Sequence, residues 1–200
     1  PGTFNTKSVI FYNANTVEPV GDLYATDPVQ FERPSLAQVF RPAGESKGEF
    51  LFMVNHLRFK GCDGATGTNE DQNDGQACFN ERRKNQVSAV IDLVERIQDQ
   101  TGVDVHYIMG DMNAYYQEDP IDLFRDNGFV SYFDAEDFSY VFRGEWGALD
   151  HAMLNDEAME LTYAGQILRI NSMEPRFLDY QDDNEPFYQD DFYRSSDHDP

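Results

Sequence analysis

Apolar and polar residues change their spacing several times along this 200-residue chain, and each change marks an element. Val9-Ile10-Phe11-Tyr12 and Leu36 to Phe40 are short runs of strand-forming residues, and Phe50-Leu51-Phe52-Met53-Val54 is an unbroken apolar run of the kind a sheet buries. Val87, Val90, Ile91, Val94 and Ile97 then recur at helical spacing, which predicts an amphipathic helix with a charged outer face and Gly102 as its terminator. Asp104 to Met109 reads as the next buried strand and leads directly into Gly110-Asp111-Met112-Asn113. Asp111 is thereby placed at the C-terminal end of a strand, where α/β proteins gather their active sites. Pro120 to Arg125 predicts a short helix closed by Asn127-Gly128, with Asp119 as its N-cap. Phe138 to Phe142 and Leu149 to Leu154 predict two strands joined through Gly144 and Gly147. Met173 to Asp191 is rich in Asp and predicts a long surface loop. The order is that of one α/β domain without repeats or a linker.

Composition narrows the class. With 40% hydrophobic and 14% aromatic residues the chain can build a sizeable core. Its formal charge of −22, from 37 acidic against 15 basic residues, argues against broad electrostatic attraction to nucleic acid or anionic lipid. A polyanionic substrate must therefore be handled locally, by a cation. No run of eighteen apolar residues predicts a membrane span, and no stable membrane insertion is expected. Pro1 is followed by neither a basic nor an apolar leader segment, and the last residues stop inside a motif, so both ends read as boundaries cut from something longer.

Cys62 and Cys78 flank a segment of Gly, Asp, Asn and Gln that cannot bury a core. A disulfide would restrain it and would place the chain in an oxidising compartment, against the alternative of two free thiols. With no His nearby, a zinc site is the weaker reading. Glu70 to Glu81 around Gly75 has the outline of a calcium loop, but Gln72 stands where a carboxylate or Asn belongs, so a solvated loop is expected.

Candidate chemistry concentrates in two motifs. Gly110-Asp111-Met112-Asn113 offers a carboxylate and an amide two residues apart on a tight turn, and Ser196-Asp197-His198 adds a distant Asp-His pair. Together they can hold a divalent cation and a phosphate, which points to metal-assisted phosphodiester hydrolysis. His106 and His151 lie in expected strands and read as structural, as does Arg83 through an ion pair at the start of the long helix. Arg58 and Lys60 suit either phosphate contact or a solvated strand end.

These residues carry a family resemblance. Arg33-Pro34-Ser35-Leu36-Ala37, Asn55-His56-Leu57 through Cys62, Cys78-Phe79-Asn80, Gly110 to Ala114, Tyr140-Val141-Phe142, Gly147-Ala148-Leu149-Asp150-His151 and Ser196 to Pro200 follow one another in the order of a known pattern. The chain resembles the endonuclease/exonuclease/phosphatase superfamily, which has the deoxyribonuclease I-like fold, and within it the secreted bacterial extracellular nucleases. The resemblance implies an α/β two-sheet sandwich flanked by helices, incomplete at the N-terminus and at the extreme C-terminus. Residues 1–200 would then be the C-terminal two-thirds of one domain, located outside the cell or in a periplasm.

The resemblance also implies roles. His56 is the acid/base histidine near the leaving group, and such a group supplies roughly 10²–10⁴-fold in rate. Asp111 orients or deprotonates the attacking water, and Asn113 donates to non-bridging phosphate oxygens. Asp197 binds the metal, taken as Mg²⁺ with Mn²⁺ and Ca²⁺ as alternatives because the ligands are hard oxygens. His198 stabilises the pentacoordinate phosphate, with Asp150 bonded to its far nitrogen, and Arg33 grips phosphate. DNA is the expected substrate and RNA the second candidate; a lipid or inositol phosphate, or an inactive extracellular binding module, are the alternatives. One departure stands out. The family places an Asn strand and a metal-binding Glu well before the Arg-Pro motif, whereas only 32 residues precede Arg33 and Glu18 before Pro19 does not fit. A metal ligand and the partner of His56 are therefore expected to be absent from these 200 residues, leaving them weakly active or inactive.

Overall fold

The computed structural model describes residues 7–175, 178, 191, 192 and 194–199. In chain order they form β1 (Val17–Ala25), β2 (Leu36–Pro42), β3 (Phe50–His56), α1 (Asn80–Thr101), β4 (His106–Asp111), α2 (Asp119–Asp126), β5 (Val130–Ser131), β6 (Tyr140–Phe142), β7 (Glu145–Gly147), β8 (Asp150–Leu154) and α3 (Asp156–Leu161). Six strands make one mixed sheet in the order β1-β2-β3-β4-β8-β5, and β6-β7 make a second, two-stranded sheet. Most of the loop expected over Met173 to Asp191 lies outside the described residues. Among the described residues, no helix is long and apolar enough to cross a membrane.

The α/β expectation is met, and its centre is the β3-α1-β4 unit. The helical period of Val87, Val90, Val94 and Ile97 lays one stripe of α1 on Leu51, Met53 and Ile108, all of them buried. Burying each of these side chains contributes about 1.5–3 kcal/mol. Ile121 and Phe124 of α2 join the same core. Gly102 ends α1 in the left-handed conformation, φ +75°, and its N–H donates to Gln98 O. The other face of the sheet carries Phe50, Phe52 and Val54 beside Tyr107 and Met109, only half-buried.

Four local expectations are corrected. Val9–Tyr12 forms no strand, and Phe11 is 92% exposed. The first strand is instead β1, an edge strand whose only ladder among the described residues is with β2. Pro19 is tolerated at such an edge, and the pairing is interrupted between Val20 and Tyr24, where Gly21 adopts φ +70°. The segment expected to link two strands through Gly144 and Gly147 is itself a hairpin: β6 turns back into β7 through Arg143 and Gly144, both at positive φ, as a two-residue hairpin turn demands. The N-cap of α2 is Glu118, and Asp119 instead accepts hydrogen bonds from Gln76 (2.7 Å) and Asn80 (2.8 Å). Arg83 is wholly buried but makes carbonyl contacts in place of the expected ion pair, donating to Cys78 O (2.8 Å), Gln76 O (2.8 Å) and Arg58 O (3.3 Å).

Those carbonyls belong to the polar loop, which Cys62 and Cys78 close with a disulfide. Lys60, pinned to Glu118, also donates to Gln76 O. The loop therefore has one covalent restraint and a few polar ones in place of a core. Replacing both cysteines by serine is expected to cost about 3 kcal/mol by releasing a loop of this length in the unfolded chain, or about 6–12 °C in Tm for a domain of this size. A thermal melt unchanged by the double substitution would show that the polar contacts suffice.

Candidate active site

Strand direction assembles the site. β3 and β4 are parallel, so their C-terminal ends meet at one edge of the sheet, and β8 runs the other way and begins there. The register pairs His56 with Asp111 and Asp111 with Asp150, which sets the three side chains in one cross-strand row on one face. Arg33 precedes β2, whose Leu36 pairs with Val54, so it reaches the same row from the β3 side. His198 arrives from the far end of the chain through a bridge to Tyr140.

Contacts within the row are close. Arg33 Nη1 lies 2.6 Å from His56 Nδ1 and 2.9 Å from its Nε2, and His56 Nε2 stands 3.6 Å from Asp111 Oδ2. Burial, followed by the Arg33 charge, holds the His56 pKa down to about 4, so the ring is neutral at pH 7. Asn113 sits at φ +47° and donates its backbone N–H to Asp111 Oδ1 (2.8 Å). Its amide donates to Asp111 Oδ2 (3.0 Å) and to Leu57 O (3.1 Å), so both amide protons are engaged within the protein. Burial, with the neighbouring Asp150 charge, pushes Asp111 up to about 7.

Asp150 and His198 form the other half. His198 Nδ1 meets Asp150 Oδ2 at 2.7 Å, leaving Nε2 as the free ring nitrogen. Burial works against a charged His198, but the Asp150 hydrogen bond and the carboxylates of Asp150, Asp111 and Asp197 overcome it and carry the pKa to about 9. The pair therefore stabilises the metal-free fold fully below pH about 6.5, and that contribution is lost as the pH rises through about 9. Proton NMR of the metal-free protein is expected to show one histidine titrating near pH 9, and Asp150→Asn should return it towards 6.5; a His198 midpoint near 6.5 in the unsubstituted protein would refute the pairing.

Asp111, Asp150 and His198 bring donor atoms within 4.8 Å of one another. Asp197, the metal ligand expected from the motif, falls outside that trio and lines the wall of an adjacent cleft. With His198 Nδ1 committed to Asp150, the hard-oxygen donors left are the two carboxylates, and one or two carboxylates are what Mg²⁺ takes from a protein. Two adjacent carboxylates also repel, and a divalent cation between them removes that repulsion. The residues fit the group.

Other candidates are accounted for differently. Arg58 pairs with Glu32 and lies over the Phe79 ring, and Lys60 is held by Glu118, so both serve the local structure. His106 and His151 are buried and bonded to the carbonyls of Val103 and Ala114, each at 2.9 Å. Two important residues are given no role by the sequence, although Asp199 lies within the Ser196 to Pro200 motif. Ser139 donates to Asp150 Oδ2 (2.6 Å) while its Oγ accepts the N–H of Asp150 (3.1 Å), and Ser139 O accepts from Asp199 N (2.8 Å). Asp199 is buried and anchors the His198 segment by accepting from the backbone N–H groups of Asn171 (2.8 Å) and Ser172 (2.9 Å).

No protein-family model and no curated protein matches the sequence. Solved structures match the fold. The human Nocturnin catalytic domain with bound sulfate is 15% identical with a TM-score of 0.52, over 71% of this chain and 49% of that one. An endonuclease/exonuclease/phosphatase family protein from Bacteroides thetaiotaomicron is 13% identical with a TM-score of 0.51, over 72% and 54%. ANGEL2, a 2′,3′-cyclic phosphatase, in complex with adenosine-2′,3′-vanadate, is 7% identical with a TM-score of 0.53, over 72% and 57%. The chain spans about half the length of these structures.

Proposed function

We propose, for a chain with the deoxyribonuclease I-like fold of the endonuclease/exonuclease/phosphatase proteins, that its residues form one side of a divalent-metal-dependent phosphodiesterase site. The reaction is in-line attack of water on phosphorus, with DNA as the substrate and RNA as the second candidate. The observation that carries the reading is the row His56–Asp111–Asp150 with His198 fixed to its end.

Roles follow from the contacts. Asp111 and Asp150 would hold a divalent cation, with Asp197 as the further ligand the resemblance implies, and the cation would supply charge neutralisation at a phosphate oxygen. Asp111 orients or deprotonates the attacking water. Asn113 holds that carboxylate by two N–H bonds, and its amide reaches a phosphate oxygen only by giving up one of its present acceptors. His198, whose Nδ1 is held by Asp150, donates Nε2–H in its imidazolium form to the oxygen on which charge develops. Arg33 offers its guanidinium fork to phosphate, and neutral His56 between Arg33 and Asp111 stands where a leaving-group proton is exchanged.

On this reading the 200 residues are part of one domain, in keeping with a match that spans about half the length of the similar structures, and the remaining ligand is supplied elsewhere in a longer protein. The disulfide favours an extracellular or periplasmic setting. On this reading the 200 residues alone turn over far more slowly than the full-length protein. Plasmid nicking by the full-length protein tests the function: cleavage abolished by EDTA and restored by Mg²⁺ is expected. Hydrolysis of inositol or lipid phosphates in place of plasmid would move the substrate class, and binding without any hydrolysis would replace the enzyme by a binding module.

A further inference from the structure

We propose that the buried Lys60–Glu118 pair positions the turn that carries Asp111 and Asn113: it extends the pairing of β3 and β4 past the end of their ladder and holds that turn opposite His56. The inference rests on the hydrolytic reading above and adds to it two positioning residues, which act through the turn.

The ladder between the two strands ends at His56 and Asp111, but their exit segments stay joined beyond it. Leu57 N–H donates to Asp111 O (2.9 Å), and the Asn113 amide donates to Leu57 O (3.1 Å). Lys60 then bonds both carboxylate oxygens of Glu118. Further out, Gln76 Nε2 donates to Asp119 Oδ1 (2.7 Å) and Asp119 N–H returns a bond to Gln76 Oε1 (2.8 Å). Glu118 N–H donates to Tyr115 O (2.9 Å), which ties the pair to the turn two residues after Asn113. The Lys60 ammonium also sits 5.1 Å from the centre of the Tyr115 ring. That ring lies against Gly147, where a Cβ would stand 2.6 Å from it, three residues before Asp150. One line of contacts therefore runs from the exit of β3, through the turn, to the segment that leads into Asp150 at the start of β8.

Stability does not account for the pair. The two side chains are only 17% and 8% exposed. Burial draws Lys60 below and Glu118 above their ordinary pKa values, the mark of charges taken out of water. Apolar side chains of similar bulk often fill such a place without loss of stability, whereas removing one charge strands the other. What the ion pair adds is direction. Two oxygens on one ammonium fix the Glu118 carboxylate, and with it the N-cap of α2 and the turn before it, where an apolar contact would let both slide.

The test compares the unsubstituted full-length protein with Lys60→Met and with Lys60→Met plus Glu118→Leu. Melting temperature, kcat on plasmid, and amide hydrogen exchange at Leu57 and Asn113 are measured for each. The single substitution is expected to lower Tm by about 6 °C or more, because it leaves Glu118 buried without its partner. The double substitution should hold Tm within about 3 °C of the unsubstituted protein. It should nevertheless lower kcat about 10- to 100-fold with KM within a few-fold, the scale of a misplaced catalytic group. Exchange at Leu57 and Asn113 should rise about tenfold or more while the α1 amides keep their protection. Should the apolar pair not fold, Lys60→Gln with Glu118→Gln keeps the bulk and a hydrogen bond and carries the same test. A folded pair variant with unchanged kcat and unchanged exchange overturns the positioning role. Faster exchange in the variant of a protein that hydrolyses no phosphoester sinks the hydrolytic reading alone, and hydrolysis with both readouts untouched sinks the positioning alone.

Discussion

Asp111→Asn in the full-length protein is expected to lower kcat about a thousandfold while leaving KM within a few-fold, the signature of a group that acts in the transition state. Asn preserves the shape and keeps an oxygen for the Asn113 backbone N–H, at the loss of the Asn113 amide bond to Oδ2, so the strand end survives while the charge and basicity are lost. The same substitution should make the metal-free fold more stable. Asp111 is buried beside Asp150 and held up to about 7 against an ordinary 3.8, so between those pH values the folded state keeps a proton that the unfolded chain releases. The carboxyl therefore destabilises the fold increasingly as pH rises from about 4 to 7, and by a constant amount above. In EDTA at pH 7.5 the Asn variant should melt above the unsubstituted protein, and the gap should close towards pH 4. An unchanged kcat would remove Asp111 from the chemistry, and a lower Tm at pH 7.5 would show that its burial carries no electrostatic cost.

The parts of this molecule legible in the sequence are those whose physics is local. The period of Val87 to Ile97 required a helix, and the apolar runs at Phe50 and before Gly110 required buried strands, so Asp111 could be placed at a strand end. β1 and β7 were hidden because Pro19, Gly21, Glu145 and Gly147 break any alternation, and these strands exist only through pairing with a neighbour. The site divides the same way. Each of His56, Asp111, Asp150 and His198 sits in a recognisable motif, but the row they form depends on the β3-β4-β8 register, which no local pattern encodes. The direction of the Asn113 amide, the grouping of Asp150 with Asp111, and the anchoring by Ser139 depend on contacts across 11 to 56 residues of chain.

Gly110→Ala should be among the most damaging single substitutions in the chain. A Cβ at this position would lie 2.1 Å from the backbone oxygen of Asn55 and 3.0 Å from its carbon and nitrogen, at φ +129° where side chains are rarely found. The obstacle is backbone, so no rotamer change relieves it; β3 and β4 must separate. They form a parallel pair at the sheet's centre, Asn55 is the partner of Gly110 in the ladder, and the next pair along is His56 with Asp111. A loss of about 3 kcal/mol or more, about 6 °C or more in Tm, is therefore expected together with loss of hydrolysis. Gly102→Ala is the matched control: Gly102 also has positive φ, +75°, but its Cβ would meet nothing within 4 Å, so it costs only the conformational strain of about 1 kcal/mol. If the two substitutions cost the same, the close approach of the strands is not what Gly110 supplies. If Gly110→Ala costs several-fold more and silences the site, the distance between His56 and Asp111 is set by backbone packing one residue away, and the proposed catalytic row is a property of the sheet before it is a property of its side chains.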